Sequence, residues 1–574
     1  MNTRKEKHKS SSNKATKIVG FLMTLAIILG GAVFFLYPFP STEQVSGYIV
    51  QDPLIYNQQL YENSIFVKDE TLYISHEFLR NEIDSSLRFD EKSKSIIITT
   101  KDKVIQIPEE ELQLFVNEEP FVFEVPTVVN ENDHHFIHLS SLSTVYPLTV
   151  EVGEAGAVFL YENGDVIREA QVANHLTIHE SRLRTGPSRT TPYTGEVNFQ
   201  DIVLIEREEE DYYYVRKKNG IAGYLHKDFL EPTFTERTIE IDIDDSKMPE
   251  LTLFNEPINL TWEAVYTKTP DPASLPELPG VNVVSPTWFK LKNEKGDISN
   301  LGSTEYVQWA HGKEIQVWAL FSNNFDPDLT HEALRDFETR QSMIRQLVNY
   351  AHMYNLDGIN VDFENVYLED GELVTQFMRE ATPYFHRAGL IVSMDVTFLS
   401  TSEMWSLFYD RVALSDIVDY MIVMAYDEHW ATSPFAGSVA SLPWVERNLV
   451  LLLDEIPHEK LILGIPLYTR IWTEAETKGG NIEVSSKALS MNQVIEWQDE
   501  FEVDQEYDEE SGQHYLEYHN KEDKETYKIW IEDLHSLEQR VDIMKTYELA
   551  GIASWARNFG NDESWEYLAE ILKK

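Results

Sequence analysis

Residues 356–365 read Leu-Asp-Gly-Ile-Asn-Val-Asp-Phe-Glu-Asn, and the alternation within them decides the fold. In a strand, side chains two apart share a face, so Asn360, Asp362 and Glu364 point one way while Ile359, Val361 and Phe363 point the other. The flanking sequence alternates apolar strands with helical stretches, which predicts a parallel sheet covered by helices. The polar face must then line a closed barrel. Two carboxylates two residues apart on such a face are costly unless they hydrogen-bond or take part in chemistry. Asp362 and Glu364 are therefore the candidate active site, the plainer alternative being a strand end where they cap the next helix.

The whole run resembles the Asp-x-x-Asp-x-Asp-x-Glu signature of family 18 glycoside hydrolases. Asp357, Asp362 and Glu364 occupy three of its four acidic places, and Asn360 stands at the second Asp. In that departure the run is similar to the wall- and spore-cortex-lytic branch of the family.

The surrounding sequence supports an α/β architecture over residues 255–574, long enough for a (β/α)8 TIM barrel with an insertion. Candidate strands lie at 258–266, 281–289, 315–321, 358–363, 391–396, 420–426, 461–467 and 551–555. Helical spacing appears between them, as in Ile344, Leu347, Val348 and Ala351 before the fourth strand and Leu537, Val541 and Met544 before the eighth. Residues 475–530 are acidic, rich in tyrosine and too long for a loop. They resemble the small α+β insertion found at this point in many family members.

In such barrels catalytic groups sit at the C-terminal ends of strands. The sixth strand ends Met424-Ala425-Tyr426-Asp427, similar to the family's Met-x-Tyr-Asp. The seventh leads into Gly464-Ile465-Pro466-Leu467-Tyr468-Thr469-Arg470, similar to Gly-x-Pro-x-Tyr-x-Arg, and the eighth ends in Trp555. Each motif alone could belong to a core; together, in order and at strand ends, they specify a site.

The resemblance implies a retaining, substrate-assisted glycosidase, an exception to the scheme with two catalytic carboxylates. It gives Glu364 the part of acid and then base, Asp362 that of orienting the substrate acetamide, and Tyr426 that of holding the acetamide carbonyl. Substrate binding would fall to Asp357, Asn360, Met424, Asp427, Tyr468 and Arg470, with Trp555 beneath the sugar ring. Trp288 and Trp318 are further candidates for the cleft, each equally suited to a core. The implied substrate is peptidoglycan or a chitin-like polymer, with no cofactor and no metal. A carbohydrate-binding protein on an inactive barrel, or a structural protein of the wall or spore envelope, is the alternative.

Composition limits the rest. The chain has 574 residues, a formal net charge of -49 and no Cys, with 12 Trp and 28 Tyr. Several domains are expected at this length. The charge argues against nucleic acid and anionic membrane surfaces as partners, but not against sugars, which are recognised by aromatic faces and hydrogen bonds. Disulfides, thiol catalysis and cysteine metal sites are excluded.

Residues 1–17 carry six basic side chains, and an uncharged, largely apolar run over 18–37 follows. About twenty such residues cross a bilayer. Because the sequence after the run offers no small-x-small cleavage site, an uncleaved signal anchor is expected, with the basic end cytoplasmic and the catalytic domain extracellular. Secretion after cleavage is the alternative. Residues 48–165 read as a strand-rich stalk with an internal repeat: Tyr73-Ile74, Leu79, 87–89 and 96–98 recur as Phe136-Ile137, Leu142, 148–150 and 158–160. The pattern resembles the N-terminal module of copper amine oxidases. Within it His134, His135 and His138 could suggest a metal, but the repeat places Ser75 opposite His138, against a ligand set. Residues 173–232 resemble a bacterial SH3-like barrel, a module that can bind cell-wall peptides, and 233–254 read as a linker.

Overall fold

The computed structural model describes residues 12–36, 39–45, 52–142, 145–173, 176–241, 249, 251, 254, 256–477, 481–522 and 524–573. The first eleven residues of the expected basic tail and most of the expected linker after position 241 lie outside the described residues.

Eight parallel strands form the barrel: Ile258–Glu263, Val283–Pro286, Gln316–Ser322, Gly358–Asp362, Ile391–Thr397, Tyr420–Met424, Leu461–Pro466 and Gly551–Trp555. The first strand pairs with both the second and the eighth, and the second with the third, so the sheet closes on itself. Helices follow most strands, the longest being Phe337–Tyr354 and Gly371–Arg387. Between the first two strands only a short 3-10 turn, Pro272–Ser274, is formed.

The alternation in the fourth strand has the predicted sense. Ile359, Val361 and Phe363 are buried in the core shared with the helices, while Asn360 faces inward and bonds across the barrel to Trp262 and Ser285. Below it the interior is apolar, filled by Ile258, Ile391, Ile422, Ile462 and Trp318, whose ring stacks on Tyr420 at 5.7 Å. Gly358 makes room for that plug, because a Cβ there would lie 2.7 Å from the Trp318 ring and 2.8 Å from the Ile391 carbonyl oxygen. Trp318, expected as a cleft candidate, is thus a core residue near the start of its strand.

Between the seventh and eighth strands stands a five-stranded antiparallel sheet with the helix Met491–Phe501. It begins at Tyr468, earlier than the sequence suggests, because the strand Tyr468–Glu476 leaves the barrel directly and pairs with Ile482–Ser490 and Glu525–Trp530.

A second five-stranded sheet, residues 88–122, belongs to the same compact unit as the barrel. It packs on the two long helices, with Ile97 and Val104 against Phe337 and Tyr384. At its edge Arg340, fully buried, donates to both oxygens of Glu380 at 2.8 and 3.0 Å and lies 3.5 Å from Asp90.

The other compact unit comprises residues 1–85 and 126–244. Its seven-stranded antiparallel sheet contains the strands between 182 and 238 together with Val166–Val172. The internal repeat is visible in a four-stranded sheet, where Ile74 and Ile137, equivalent in the two copies, pair directly on adjacent antiparallel strands. At the N-terminus the helix Ser12–Leu36 runs 25 residues, about 38 Å at 1.5 Å each. Its described side chains are exposed, and the stretch Thr16–Val33 is long and apolar enough to cross a membrane or to act as a signal sequence.

Candidate active site

Beyond the last residues of the barrel strands lies a cavity of about 1100 Å³, lined among others by Asp362, Glu364, Asp395, Tyr426 and Trp555. The sequence places these groups there by one device: each ends a parallel strand on its inward face, and all parallel strands end on the same side. Met424, Asp427, Tyr468 and Arg470 line the same cavity.

Asp362 is buried, and its Oδ1 has no hydrogen-bond partner among the described residues. Burial alone pushes its carboxyl up to about 7. Glu364, two residues on, is held well above the usual carboxylate range by burial and then by the charges of Asp362, Asp395 and Asp427. At neutral pH Glu364 is therefore a proton donor in waiting. Its backbone is fixed from the third strand: Asn323, itself buried, accepts from the Glu364 N–H and donates to the Glu364 carbonyl oxygen. Tyr409 donates to the preceding carbonyl, that of Phe363, at 2.8 Å.

Asp427 adopts φ 61, in the left-handed region that Asp tolerates better than most residues. There it accepts from the Tyr468 hydroxyl at 2.6 Å and from Arg470 at 3.2 Å. The Tyr426 hydroxyl proton is held firmly, by burial first and then by Tyr468 and the surrounding carboxylates, so the group stays neutral and can donate. Trp555 packs its ring against Trp262 at 5.8 Å and presents its other side to the cavity.

Three expected site residues stand elsewhere. Asp357 lies before the fourth strand begins, at the opposite end of the barrel, where it accepts from the Val317 N–H and pairs with His311, both at 2.8 Å. It ties two strand entrances together. Asn360 is fully buried beneath the cavity, and its amide is used up within the protein. Trp288 is fully buried outside the barrel, with its indole donating to Thr269 and its ring against Tyr306, because the second strand breaks at Pro286 and turns it outward.

The sequence reading also missed groups. Asp395 is inward on the fifth strand, signalled by the alternation Ser393, Asp395, Thr397 that interrupts an apolar run. Trp405 and Trp430, about half exposed, and Phe398 and Trp444 give the cavity long aromatic walls. Phe398 and Trp430 come from loops, Trp405 from the single π-helical turn Glu403–Leu407, and Trp444 from the first turn of the helix Leu442–Leu452, and no strand alternation marks any of them.

Residues 289–560 match the model of glycosyl hydrolases family 18, and residues 55–159 match the copper amine oxidase N-terminal domain. The chain is 27% identical over 261 residues to the cortical fragment-lytic enzyme of Bacillus subtilis (strain 168), covering 44% of this chain and 59% of that protein. It is 25% identical over 304 residues to the glycosylase YvbX of the same organism, covering 51% and 85%. The chain thus spans about three fifths of the cortical fragment-lytic enzyme. A crystal structure of the Bacillus megaterium QM B1551 spore cortex-lytic enzyme SleL superposes with a TM-score of 0.49 at 20% identity, over 58% of this chain and 76% of that one. The barrel that carries Asp362 and Glu364 is a family 18 glycosyl hydrolase domain.

Proposed function

We propose that the chain is a retaining glycosidase that cleaves β-1,4 bonds following N-acetylglucosamine in peptidoglycan, with the substrate's own acetamide as nucleophile. The observation that supports this most is the pairing, in one cavity, of a carboxyl held protonated, Glu364, with a carboxyl two residues away whose Oδ1 has no protein partner, Asp362. Glu364 gives its proton to the glycosidic oxygen as that bond breaks, and the acetamide oxygen closes on the anomeric carbon. Asp362 accepts from the acetamide N–H and opposes the positive charge that develops on the ring. The Tyr426 hydroxyl donates to the acetamide oxygen and aligns it. Water then attacks the anomeric carbon from the face the leaving group vacated, giving its proton back to Glu364, so the β configuration is retained.

Asp427, held by Tyr468 and Arg470, presents its remaining acceptor sites to sugar hydroxyls, and Trp555 offers a stacking surface. N-acetylglucosamine suits this arrangement better than muramic acid, whose lactyl ether must also fit above Trp555. Relatives named for lysis of cortical fragments favour peptidoglycan over chitin. The N-terminal helix, as an uncleaved anchor, would hold the catalytic domain outside the cell, and the sheet over 182–238, as an SH3-like module, would bring it to wall peptides.

The test is digestion of purified peptidoglycan and of chitin, borohydride reduction and mass spectrometry. Reduced glucosamine at the new ends is expected. Reduced muramic acid would overturn the bond assignment, and activity on chitin alone the substrate.

A further inference from the structure

The fourth and fifth strands run parallel with Asn360 beside Ser393 and Val361 beside Met394. One step further on, the same register sets Asp362 beside Asp395, and both point inward. Asp395 is buried and has its own contact with the cavity. Two carboxylates buried side by side do not both ionise near neutral pH.

Asn360 determines how Asp395 is held. The indole N–H of Trp262 only donates, and it meets Asn360 Oδ1 at 3.1 Å. That end of the amide is therefore the oxygen, to which the Ser285 hydroxyl donates at 3.0 Å, and Nδ2 must be the group 2.8 Å from Asp395 Oδ1. Asp395 Oδ1 is thus committed as an acceptor. Any proton on Asp395 resides on Oδ2, and Asp362 next to it has a buried oxygen without a partner.

We infer that Asp395 is a positioning residue for catalysis: it shares one proton with Asp362 and keeps it when Asp362 turns to the substrate acetamide. The proton moves from Asp362 to Asp395 Oδ2, leaving Asp362 the anion that the acetamide N–H requires. No other reactant is consumed. In this chain the carboxyl absent at position 360 is supplied by the neighbouring strand, with Asn360 as its clamp. The inference rests on the glycosidase reading above.

Other titratable groups around the pair are Glu364 on the strand of Asp362, Tyr409 before the next helix, and Tyr426 with Asp427 after the sixth strand. Arg411 lies beyond Tyr409, and Arg470 is bonded to Asp427. On the first strand Glu263 is paired with Arg557 at 2.9 Å. None of these cations bonds Asp362 or Asp395 among the described residues, so the pair's negative charge is met by its own proton. Burial and the Asp362 charge both raise Asp395, against the bond from Asn360 and the nearby indole N–H of Trp262.

The experiment compares pH profiles of wild type, Asp395→Asn and the double variant Asn360→Asp/Asp395→Asn on a chromogenic N-acetylglucosamine oligomer. With Asp395→Asn the pair can hold no more than one negative charge at any pH, so the repulsion that keeps Glu364 protonated as pH rises weakens, and the alkaline limb of kcat/KM should fall by about one pH unit, with at least a tenfold loss at neutral pH. Returning a carboxyl at 360 should bring the limb back. A uniform loss of rate with the limb unmoved, or a double variant that leaves the limb where Asp395→Asn put it, would overturn the assignment. Infrared titration of the protonated-carboxyl band needs no turnover: in a Glu364→Gln background, which removes the acid's own band, a band should persist to neutral pH and weaken at lower pH when Asp395→Asn is added. If wild type hydrolyses no oligomer or peptidoglycan, the glycosidase reading fails, and the infrared result still decides the shared proton. Should Asp395→Asn not fold, Asn360→Asp alone, which adds a charge, must shift the band upward in pH in the same Glu364→Gln background; an unchanged band overturns the inference.

Discussion

The side-chain amide of Asn323 brackets the backbone of Glu364, just past the end of the neighbouring strand. Its Nδ2 donates to the Glu364 carbonyl oxygen at 2.7 Å, and its Oδ1 accepts from the Glu364 N–H at 3.1 Å. The same amide also donates to Thr330, so its orientation is fixed within the fold. Asn323→Ala frees the end of the strand that carries the acid. Because a misplacement of about 1 Å can cost about 10²-fold in rate, kcat should fall between ten- and a hundredfold with KM within about twofold. Steady-state kinetics beside a circular dichroism spectrum check this, and an unchanged kcat would show that the strand end holds without the clamp.

Glu364→Gln keeps the shape of the side chain and removes the transferable proton. Hydrolysis should fall by about 10² to 10⁴, the usual worth of general acid catalysis, while oligosaccharide binding by calorimetry stays near that of wild type. Residual activity above about one hundredth would assign the proton to another group.

Asp362 makes stability depend on pH. Its ordinary value is 3.8 and burial raises it to about 7 in the fold, so between these values the folded chain keeps a proton that the unfolded chain has lost. Folding stability attributable to Asp362 is therefore fully present below about 4 and is lost as pH rises through about 7. Glu364 and Asp395, both raised, act in the same direction. Asp362→Asn should melt a few degrees above wild type at pH 8, with the difference shrinking toward pH 4. Equal melting temperatures at pH 8 would show that Asp362 carries no buried charge there.

Arg340 joins the barrel helices to the sheet of residues 88–122. Arg340→Met strands Glu380 and Asp90 in a dry interior, and breaking such a buried pair costs about 3–5 kcal/mol. For a unit of this size that is a fall in Tm on the order of 10 °C, readable by thermal circular dichroism. A loss of only one or two degrees would mean that water reaches the two carboxylates.

The sequence was most informative where one side chain in two must face a barrel interior. The alternation at 358–363 and the motifs ending at Asp427, Arg470 and Trp555 are local in the chain, and their consequences are local as well. Asp357 misled because its place in the motif says nothing about which end of the strand it occupies: five residues at about 3.3 Å each separate it from Asp362, about 16 Å. Trp288 misled because a proline two residues earlier ends the strand, and the alternation ends with it. Asn323 and Asp395 act through partners on other strands, at separations of 41 and 35 residues. Such relationships exist only after the sheet has closed.

The apolar plug of Trp318, Tyr420 and the isoleucines closes the barrel below Asn360 and leaves the carboxyl cluster one route to solvent, the cavity itself. A sugar seated above Trp555 stops that route. From then until product leaves, the cluster behaves as a sealed compartment with a fixed inventory of protons, whatever the pH outside. Any net uptake or release is confined to association and dissociation, so the heat of binding should vary with the ionisation enthalpy of the buffer while the rate of the bound complex should not respond to buffer concentration.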